Sequence, residues 1–405
     1  MKKLISISLC GLAVLGMYGQ KANVDQAKKL AGKTDKIEEA RSLIKEAIAN
    51  PETSGQALTY YIAGKIEWDA YDKNVQKQMS NPDGVDPLAM ADELMNGYNY
   101  FLQTFPLDLL PNEKGEVKPK YTNELQKKIA EKKDDFWTAA RDYHNADKRY
   151  PEAYNAFLIY ADMPDLEVLG KKAPFIPDTV RAVAYYNAAS EAYGAEANED
   201  AAKAFRKARE NNYPESKPYL FEIVSWEKIA QADSTRFNEA KQNIFAIAKA
   251  GYEKYEMGEP LFLRSMVNAL LEDEKTDDAE ALLKDAANRF PDQASIYGLL
   301  GLTYDRADND EASEATYKKA VAMDTADFET LRLAANKLLR MGQSKWNDID
   351  LGDPDIIAKK KAVRENYFLP AKEIAERGLT MATQQAQQSQ IESLLENVEY
   401  LMSLR

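Results

Sequence analysis

Histidine and cysteine, the side chains that most often act as acid–base groups, nucleophiles and metal ligands, each occur once in this chain of 405 residues. The chain has no second histidine, and its one cysteine is in the N-terminal segment, so nothing completes a metal site or a catalytic pair with His144. We therefore expect His144 to be a packing residue. Cys10 lies in an apolar N-terminal run. No nucleophile elbow and no glycine-rich loop after a strand pattern accompanies them. The sequence therefore predicts no catalytic residues, although paired carboxylates for glycoside cleavage stay open as an alternative.

One stretch comes close to a phosphate-binding loop. Residues 27–34 read A-K-K-L-A-G-K-T, with Ala27 in place of the first glycine of the loop pattern. No strand pattern precedes the stretch, and Gly32 more simply ends one helix before Thr34 caps the next. The sequence therefore predicts no nucleotide site.

A group of acidic residues raises the question of calcium; it consists of Asp348, Asp350, Asp353 and Asp355. A calcium loop of the EF-hand type needs glycine at its sixth position and glutamate at its twelfth. Counting from Asp348 puts Gly352 fifth and Lys359 twelfth. Asp353 followed by Pro354 instead predicts a helix cap and a first-turn proline. We expect no resident metal and no cofactor, and whether these aspartates bind a cation stays open.

The elements that could position a site come from a repeat. Between residues 263 and 338, apolar and small residues recur every thirty-four positions. The first set is Leu263, Met266, Val267, Leu270, Ala279, Leu283, Ala286 and Pro291; the second is Tyr297, Leu300, Gly301, Tyr304, Ser313, Tyr317, Ala320 and Thr325; the third is Leu331, Ala334, Ala335 and Leu338. Intervals of three and four residues place each set on the facing sides of two helices. Because one such hairpin cannot bury its own apolar face, neighbouring hairpins must stack.

This spacing resembles that of the tetratricopeptide repeat, a helix–turn–helix unit of thirty-four residues. The resemblance implies an all-α fold, namely a right-handed α-solenoid of about eight stacked units with a C-terminal capping helix. It also implies a protein that acts by binding and leaves the partner unidentified. The residues that predict the capping helix form one apolar stripe: Ile391, Leu394, Leu395, Val398, Leu401 and Met402.

The units before the regular repeat are less uniform. A helix is expected from about Asn123 to Ala146, and the unit that contains Tyr219 has a stretched turn. Two insertions, residues 164–177 and 342–364, interrupt the pattern. We therefore divide the chain into a signal peptide (1–19), N-terminal repeat units (20–106), irregular units with insertions (107–257) and regular units with a split last unit and the capping helix (258–405).

The first nineteen residues have the order of a secretory signal peptide. Lys2 and Lys3 precede an apolar run over residues 4–17, and cleavage is predicted between Gly19 and Gln20. Cys10 does not fit a lipoprotein signal well, because a lipobox places a small residue where Leu9 stands. We expect export to the periplasm of a Gram-negative cell without a lipid anchor. The run is too short to span a bilayer, and no later segment is apolar enough to do so.

Loss of the signal peptide deepens the acidic charge. The full chain carries a formal charge of −13, and without Lys2 and Lys3 the balance is 51 basic against 66 acidic residues, a net of −15. Nucleic acid and anionic membrane surfaces require a basic footprint and are therefore not expected as partners. The mature chain also lacks cysteine, so that disulfides and thiol chemistry are not expected.

The resemblance also implies where a partner would bind. In tetratricopeptide repeats, positions two, five, six, nine, twelve and thirteen of each first helix line a groove. In this chain the matching positions give Arg264 and Arg332, Asn268 and Asn336, Arg306 and Arg340, and, in an earlier unit, Tyr186 and Tyr193. An arginine with an asparagine resembles the clamp that binds a peptide carboxylate. Two features depart from that clamp. The usual lysine is absent, and the unit between the two arginine–asparagine pairs has Gly298 and Leu302 at the matching positions.

Two functional hypotheses follow. The first is a non-catalytic exported scaffold that binds a protein or peptide segment in the cell envelope. The second is an all-helical envelope enzyme or carbohydrate-associated component whose site lies in an insertion, 164–177 or 342–364. The sequence does not predict an oligomeric state.

Overall fold

The structure of the chain, a computed structural model, describes residues 22–350 and 352–404. The predicted signal peptide, with Cys10 and the expected cleavage position, lies outside these residues. Every regular element within them is helical, which confirms the all-α prediction. None of these helices is both long enough and apolar enough to cross a lipid bilayer.

The chain divides into two compact units, with the division between Ala232 and Asp233. The helices of the first unit are α1 (22–30), α2 (Ile37–Ala49), α3 (Ala57–Ser80), α4 (Pro87–Asp108), α5 (Thr122–Glu131), α6 (Lys133–His144), α7 (Tyr150–Asp162), α8 (Asp178–Gly194), α9 (Asn198–Glu210) and α10 (Lys217–Ala232). Each consecutive pair from α6 to α10 packs together, as do α2 with α3 and α3 with α4. The first unit is therefore a stack of helical hairpins.

The second unit continues the same pattern. Its helices are α11 (Phe237–Tyr255), α12 (Pro260–Glu272), α13 (Thr276–Arg289), α14 (Ala294–Arg306), α15 (Asp310–Val321), α16 (Phe328–Asn347), α17 (Ile356–Val363), α18 (Leu369–Met381) and α19 (Gln385–Ser403). The hairpins α12/α13, α14/α15 and α16/α18 follow one another, and the first helices α12, α14 and α16 pack against their neighbours. The first unit ends with α10, and the second unit begins with α11.

Residues of the thirty-four-residue pattern form the core of the second unit. Leu263, Tyr297 and Leu331 are buried at equivalent positions of α12, α14 and α16. A Cβ atom at Gly301 would lie 2.9 Å from the ring of Tyr317, so the small residue at this position allows α14 and α15 to approach closely. These are hairpins of the tetratricopeptide type, as the sequence predicts. The buried side chains Ile391, Leu394 and Val398 place one face of α19 on the stack, which confirms the capping helix.

The contact between α3 and α4 depends on two glycines. The ring of Phe101 occupies the space beside Gly64, and the indole of Trp68 occupies the space beside Gly97. Trp68 Nε1 donates a hydrogen bond to the backbone oxygen of Leu94 at 2.9 Å, which fixes the indole. Close helix packing here requires the absence of a side chain at both glycines.

The helix expected from Asn123 to Ala146 is wrong in one respect, because it is two helices that break at Lys132. The Lys132 ammonium lies 4.5 Å from the ring centroid of Tyr71 and 5.3 Å from that of Trp68. It also pairs with Asp72 of α3 at 2.6 Å. Side chains on another helix therefore stabilise the break between α5 and α6. Local periodicity in the sequence does not reveal such contacts.

The two insertions pack onto the stack. In the first, Leu169 and Ile176 are buried, while Phe175 is 85% exposed. In the second, α16 continues to Asn347 and α17 begins at Ile356. The helix cap predicted at Asp353 is wrong by two residues: Asp355 is the N-cap of α17, and Asp353 accepts a hydrogen bond from the Asp355 backbone N–H at 2.8 Å.

A carboxylate at the end of α4 organises the start of α5. Asp108 accepts hydrogen bonds from the backbone N–H groups of Lys120, Tyr121 and Thr122 and from the Thr122 hydroxyl, at 2.8 to 2.9 Å. Burial alone would raise the pKa of Asp108, but these hydrogen bonds outweigh burial and leave its pKa below the usual value.

We expect Asp108→Asn to lower the free energy of unfolding by about 2 kcal/mol at neutral pH, because four hydrogen bonds to a charged acceptor are weakened. The folded protein binds the Asp108 proton more weakly than the unfolded chain does. The stabilisation is therefore complete above the unfolded pKa of about 3.9 and is lost as the pH falls through the lower folded pKa. Urea unfolding at a series of pH values should show the wild-type and variant curves converging in acid. Asp83→Asn, on an exposed turn, is the control, and a constant gap between the curves would contradict this role for the charge.

Candidate ligand-binding grooves

The side chains predicted to form a groove lie in both compact units. Tyr186 and Tyr193 are on α8 of the first unit. The other six are on the first helices of three consecutive hairpins in the second unit: Arg264 and Asn268 on α12, Arg306 on α14, and Arg332, Asn336 and Arg340 on α16. Each unit is described by itself.

A small depression of about 20 Å³ is bordered by α12, α14 and α16, and we name it the second-unit groove. It is lined by Pro260, Arg264, Ser295, Gly298, Leu299, Asp327, Glu329, Thr330 and Leu333. Six of these residues occupy position two, five or six of a first helix: Arg264, Ser295, Gly298, Leu299, Glu329 and Leu333. The positions that the repeat pattern assigns to a groove therefore do border a common depression.

Gly298 shapes the bottom of this groove. A Cβ atom built there would lie 2.9 Å from Oγ1 and 3.2 Å from Cγ2 of Thr330. The missing side chain therefore allows α14 and α16 to approach, with Thr330 filling the space where a side chain at this position would begin.

The charges of the groove are arranged around Glu329. Arg332 donates from Nε to Oε2 at 2.9 Å and from Nη2 to Oε1 at 2.6 Å, a two-pronged ion pair. Burial raises the pKa of the Glu329 carboxyl, but the hydrogen bond from Arg332 and the charges of Arg332 and Arg264 outweigh it and leave the pKa below its usual value. Glu329 thus occupies the guanidinium of Arg332 as a peptide carboxylate would. An incoming carboxylate would have to compete with Glu329.

Of the six predicted side chains in this unit, only Arg264 lines the groove; Arg332 is next to it through its ion pair with Glu329. Asn268 and Arg306 are exposed, and Asn336 is half-buried further along α16. Arg340 pairs with Asp305, which also accepts from the buried Lys337 at 2.6 Å. Arg340 therefore belongs to an ion cluster at the end of α14.

The tyrosines of α8 lie in a second surface, the aromatic patch, formed by Tyr186, Tyr193, Tyr213 and Phe221. The ring centroids of Tyr186 and Tyr213 are 4.6 Å apart and stacked, and Tyr193 meets Phe221 edge-on at 5.8 Å. The ammonium of Lys228 lies 3.9 Å from the Tyr193 centroid. Paired rings with an adjacent cation suit a ligand that stacks or carries an apolar side chain.

The sequence interpretation missed several of these residues. Glu329 is at position two of its unit, which is a groove position of this repeat type. Phe221 and Lys228 lie in the irregular unit of Tyr219, and Tyr213 lies in the connection just before it. The weak repeat there hides the alignment of these residues with α8. Counting groove positions from Tyr219 as position four would have placed Phe221 at six and Lys228 at thirteen.

The interpretation of His144 as a packing residue is wrong. Its side chain is 59% exposed, and its Nδ1 lies 2.5 Å from Oε1 of the buried Glu191. The pair joins the end of α6 to α8. Across residues 22–350 and 352–404, no three histidine, cysteine or acidic side chains are arranged to hold a metal ion.

Comparison with protein-family models and with curated proteins gave no match. Among solved structures, the chain is similar to a TPR repeats protein from Bacteroides fragilis NCTC 9343, with 14% identity over 68% of this chain and 98% of that one and a TM-score of 0.30. It is also similar to yeast Tom70, with 11% identity over 95% of this chain and 96% of that one and a TM-score of 0.26. A third similar structure is the TPR domain of P58(IPK), with 11% identity over 95% of this chain and 98% of that one and a TM-score of 0.28. The repeat assignment rests on the chain's own thirty-four-residue spacing and helical hairpins.

Proposed function

We propose that this chain is a non-catalytic exported scaffold that holds a protein or peptide segment in the second-unit groove. One observation carries the proposal: side chains at equivalent positions of three consecutive first helices border one depression. A stack of helical hairpins gains its function from such a surface, because its core is spread between neighbouring units.

The chemistry of the groove suits a peptide segment. Leu299 and Leu333 supply apolar surface, while Arg264 and the Arg332–Glu329 pair supply charged hydrogen-bonding groups. Peptide recognition of this kind combines a few apolar contacts with directed polar ones. Because the groove carries both positive and negative groups, a bound peptide segment needs opposite charges at the matching places. A high net charge alone would not be enough.

Export to the periplasm is part of the proposal and is supported by Lys2, Lys3 and the apolar run at residues 4–17. Fractionation of Gram-negative cells that express the full chain, with N-terminal sequencing of the product, should find a soluble periplasmic protein that begins at Gln20. A chain that keeps Lys2 and Lys3 and stays in the cytoplasm would contradict export.

A carbohydrate-associated component is the second candidate, favoured by Phe175, whose exposed ring projects from an insertion that otherwise packs onto the stack. Aromatic rings at such places can stack on sugars or touch a partner. Under this alternative, Phe175→Ala should abolish binding to envelope glycans while changes in the groove have no effect.

The groove is tested by reversing the charge of Arg264 together with that of Arg332, the ion-pair partner of Glu329. We expect Arg264→Glu with Arg332→Glu to reduce partner capture from envelope extracts at least tenfold, because two favourable charge contacts become repulsive. Affinity capture of the mature chain with quantitative mass spectrometry measures the loss. Lys284→Glu with Lys361→Glu is the matched control, since both lysines are exposed in the same unit and the change in net charge is equal. Unchanged helical circular dichroism together with undiminished capture would remove the groove from the proposal.

A further inference from the structure

A cavity of about 280 Å³ lies in the second unit between α15, α16 and the start of α18. Tyr317 and Leu338, both buried, form part of its inner surface. Val321 from α15 and Ile374 from α18 form its walls. The lining therefore combines apolar side chains with a few polar ones, as the lining of small-molecule sites does.

The helix at one side of this cavity has an unusual turn. Arg364–Phe368 is a π-helical segment that joins α17 to α18, and it is the one such turn in the part of the chain that the structure describes. Asn366 of this turn lines the cavity, while Phe368 is buried beside Gly342. A π turn is energetically unfavourable and occurs most often at functional sites, where it redirects a side chain.

Three cations, Lys318, Lys337 and Arg377, and one carboxylate, Glu314, stand among the residues around the cavity. Lys337 is buried and already paired with Asp305 and Asp310. Arg377 Nη1 donates to the backbone oxygen of Val321 at 3.1 Å, which holds its guanidinium beside the cavity wall. Lys318 pairs with Glu314 at 2.7 Å on the exposed surface, so its charge is partly balanced. In a chain with a net charge of −13, the guanidinium of Arg377 beside an apolar cavity favours a ligand with one negative group.

We propose that this cavity binds a small aliphatic carboxylate, whose chain lies between Tyr317 and Ile374 and whose carboxylate meets Arg377. The volume is at the lower end of that of small-molecule sites. The short cavity suits a compact ligand with one apolar end and one anionic end. The site is formed by other residues than the second-unit groove and does not depend on the proposed scaffold function.

The test is calorimetric titration of the mature chain with sodium octanoate, which has a short apolar chain and one carboxylate. We expect a dissociation constant on the order of 0.1 mM. Arg377→Gln should weaken octanoate about tenfold, through loss of the charged contact, and should leave the weaker binding of 1-octanol unchanged. Ile374→Trp, which fills the cavity, should abolish binding of both ligands.

Lys284→Gln is the control for loss of an exposed cation in the same unit and should bind octanoate as the wild type does. Circular dichroism checks the fold of Ile374→Trp; if that variant unfolds, the octanoate and octanol comparison on Arg377→Gln decides alone. Absence of octanoate binding at ~10 mM, or equal binding to wild type and Arg377→Gln, would overturn the assignment. Binding of an acidic peptide but not of octanoate would also overturn it and would make the cavity a protein-docking site.

Discussion

Replacing Gly97 by alanine is expected to lower the free energy of unfolding of the first unit by about 3 kcal/mol. The new Cβ atom would lie 3.0 Å from Cγ of Trp68, and closer still to Cδ1 and Nε1. The indole has little freedom to move, because Nε1 donates to the Leu94 oxygen and its ring meets Phe101 edge-on at 4.8 Å. Either the hydrogen bond or the spacing of α3 and α4 must give way.

Thermal unfolding followed by circular dichroism and tryptophan fluorescence measures this effect. For a unit of this size, the expected loss corresponds to a fall in Tm of roughly 6–12 °C. Gly55→Ala is the matched control, since nothing lies within 4 Å of a Cβ atom at that position. Equal Tm values for the two variants would show that the α3–α4 contact adapts to the extra methyl group.

Replacing Glu222 by alanine is expected to destabilise the same unit by about 4 kcal/mol. Glu222 is fully buried on α10, and its two oxygens accept from Arg209 at 2.6 Å and from Arg206 at 3.2 Å, both on α9. Removing the carboxylate leaves Arg209, which is mostly buried, without its counter-charge. An unpaired buried charge is much less favourable than the intact ion pair.

The control for Glu222→Ala is Glu215→Ala, which breaks an exposed ion pair with Lys217 and should change the urea midpoint little. Adding Arg209→Met to Glu222→Ala should restore part of the lost stability, because the uncompensated charge is then removed. If Glu222→Ala and Glu215→Ala unfold at the same urea concentration, the buried pair does not contribute to stability in the way its geometry suggests.

The regular part of the fold could be predicted from the sequence because its information is local. The spacing of Leu263, Tyr297 and Leu331 defines one helical face per unit, and the buried faces of α12, α14 and α16 are the predicted ones. The break at Lys132 could not be predicted in this way. It depends on Trp68, Tyr71 and Asp72, which are sixty and more residues away in the chain.

The candidate site was predictable only as a set of positions. The repeat pattern places Arg264 and Arg332 on first helices, but it does not reveal that Arg332 pairs with Glu329 on its own helix or that Thr330 packs against Gly298. The aromatic patch shows the same limit. Tyr186 and Tyr193 follow from the pattern, whereas Tyr213 and Phe221 reach them through an irregular turn. The predicted domain boundaries after residues 106 and 257 stay predictions.

The division between Ala232 and Asp233 bears on how this chain should be cut for recombinant fragments. α11 packs against α12, so a fragment that starts at residue 258, where the regular repeats begin, would leave the apolar side of α12 uncovered. Phe262 of α12 packs against Gly251 and Tyr255 of α11. A fragment that starts at Asp233 keeps this contact, and we expect such a fragment to express in soluble form where the shorter one aggregates.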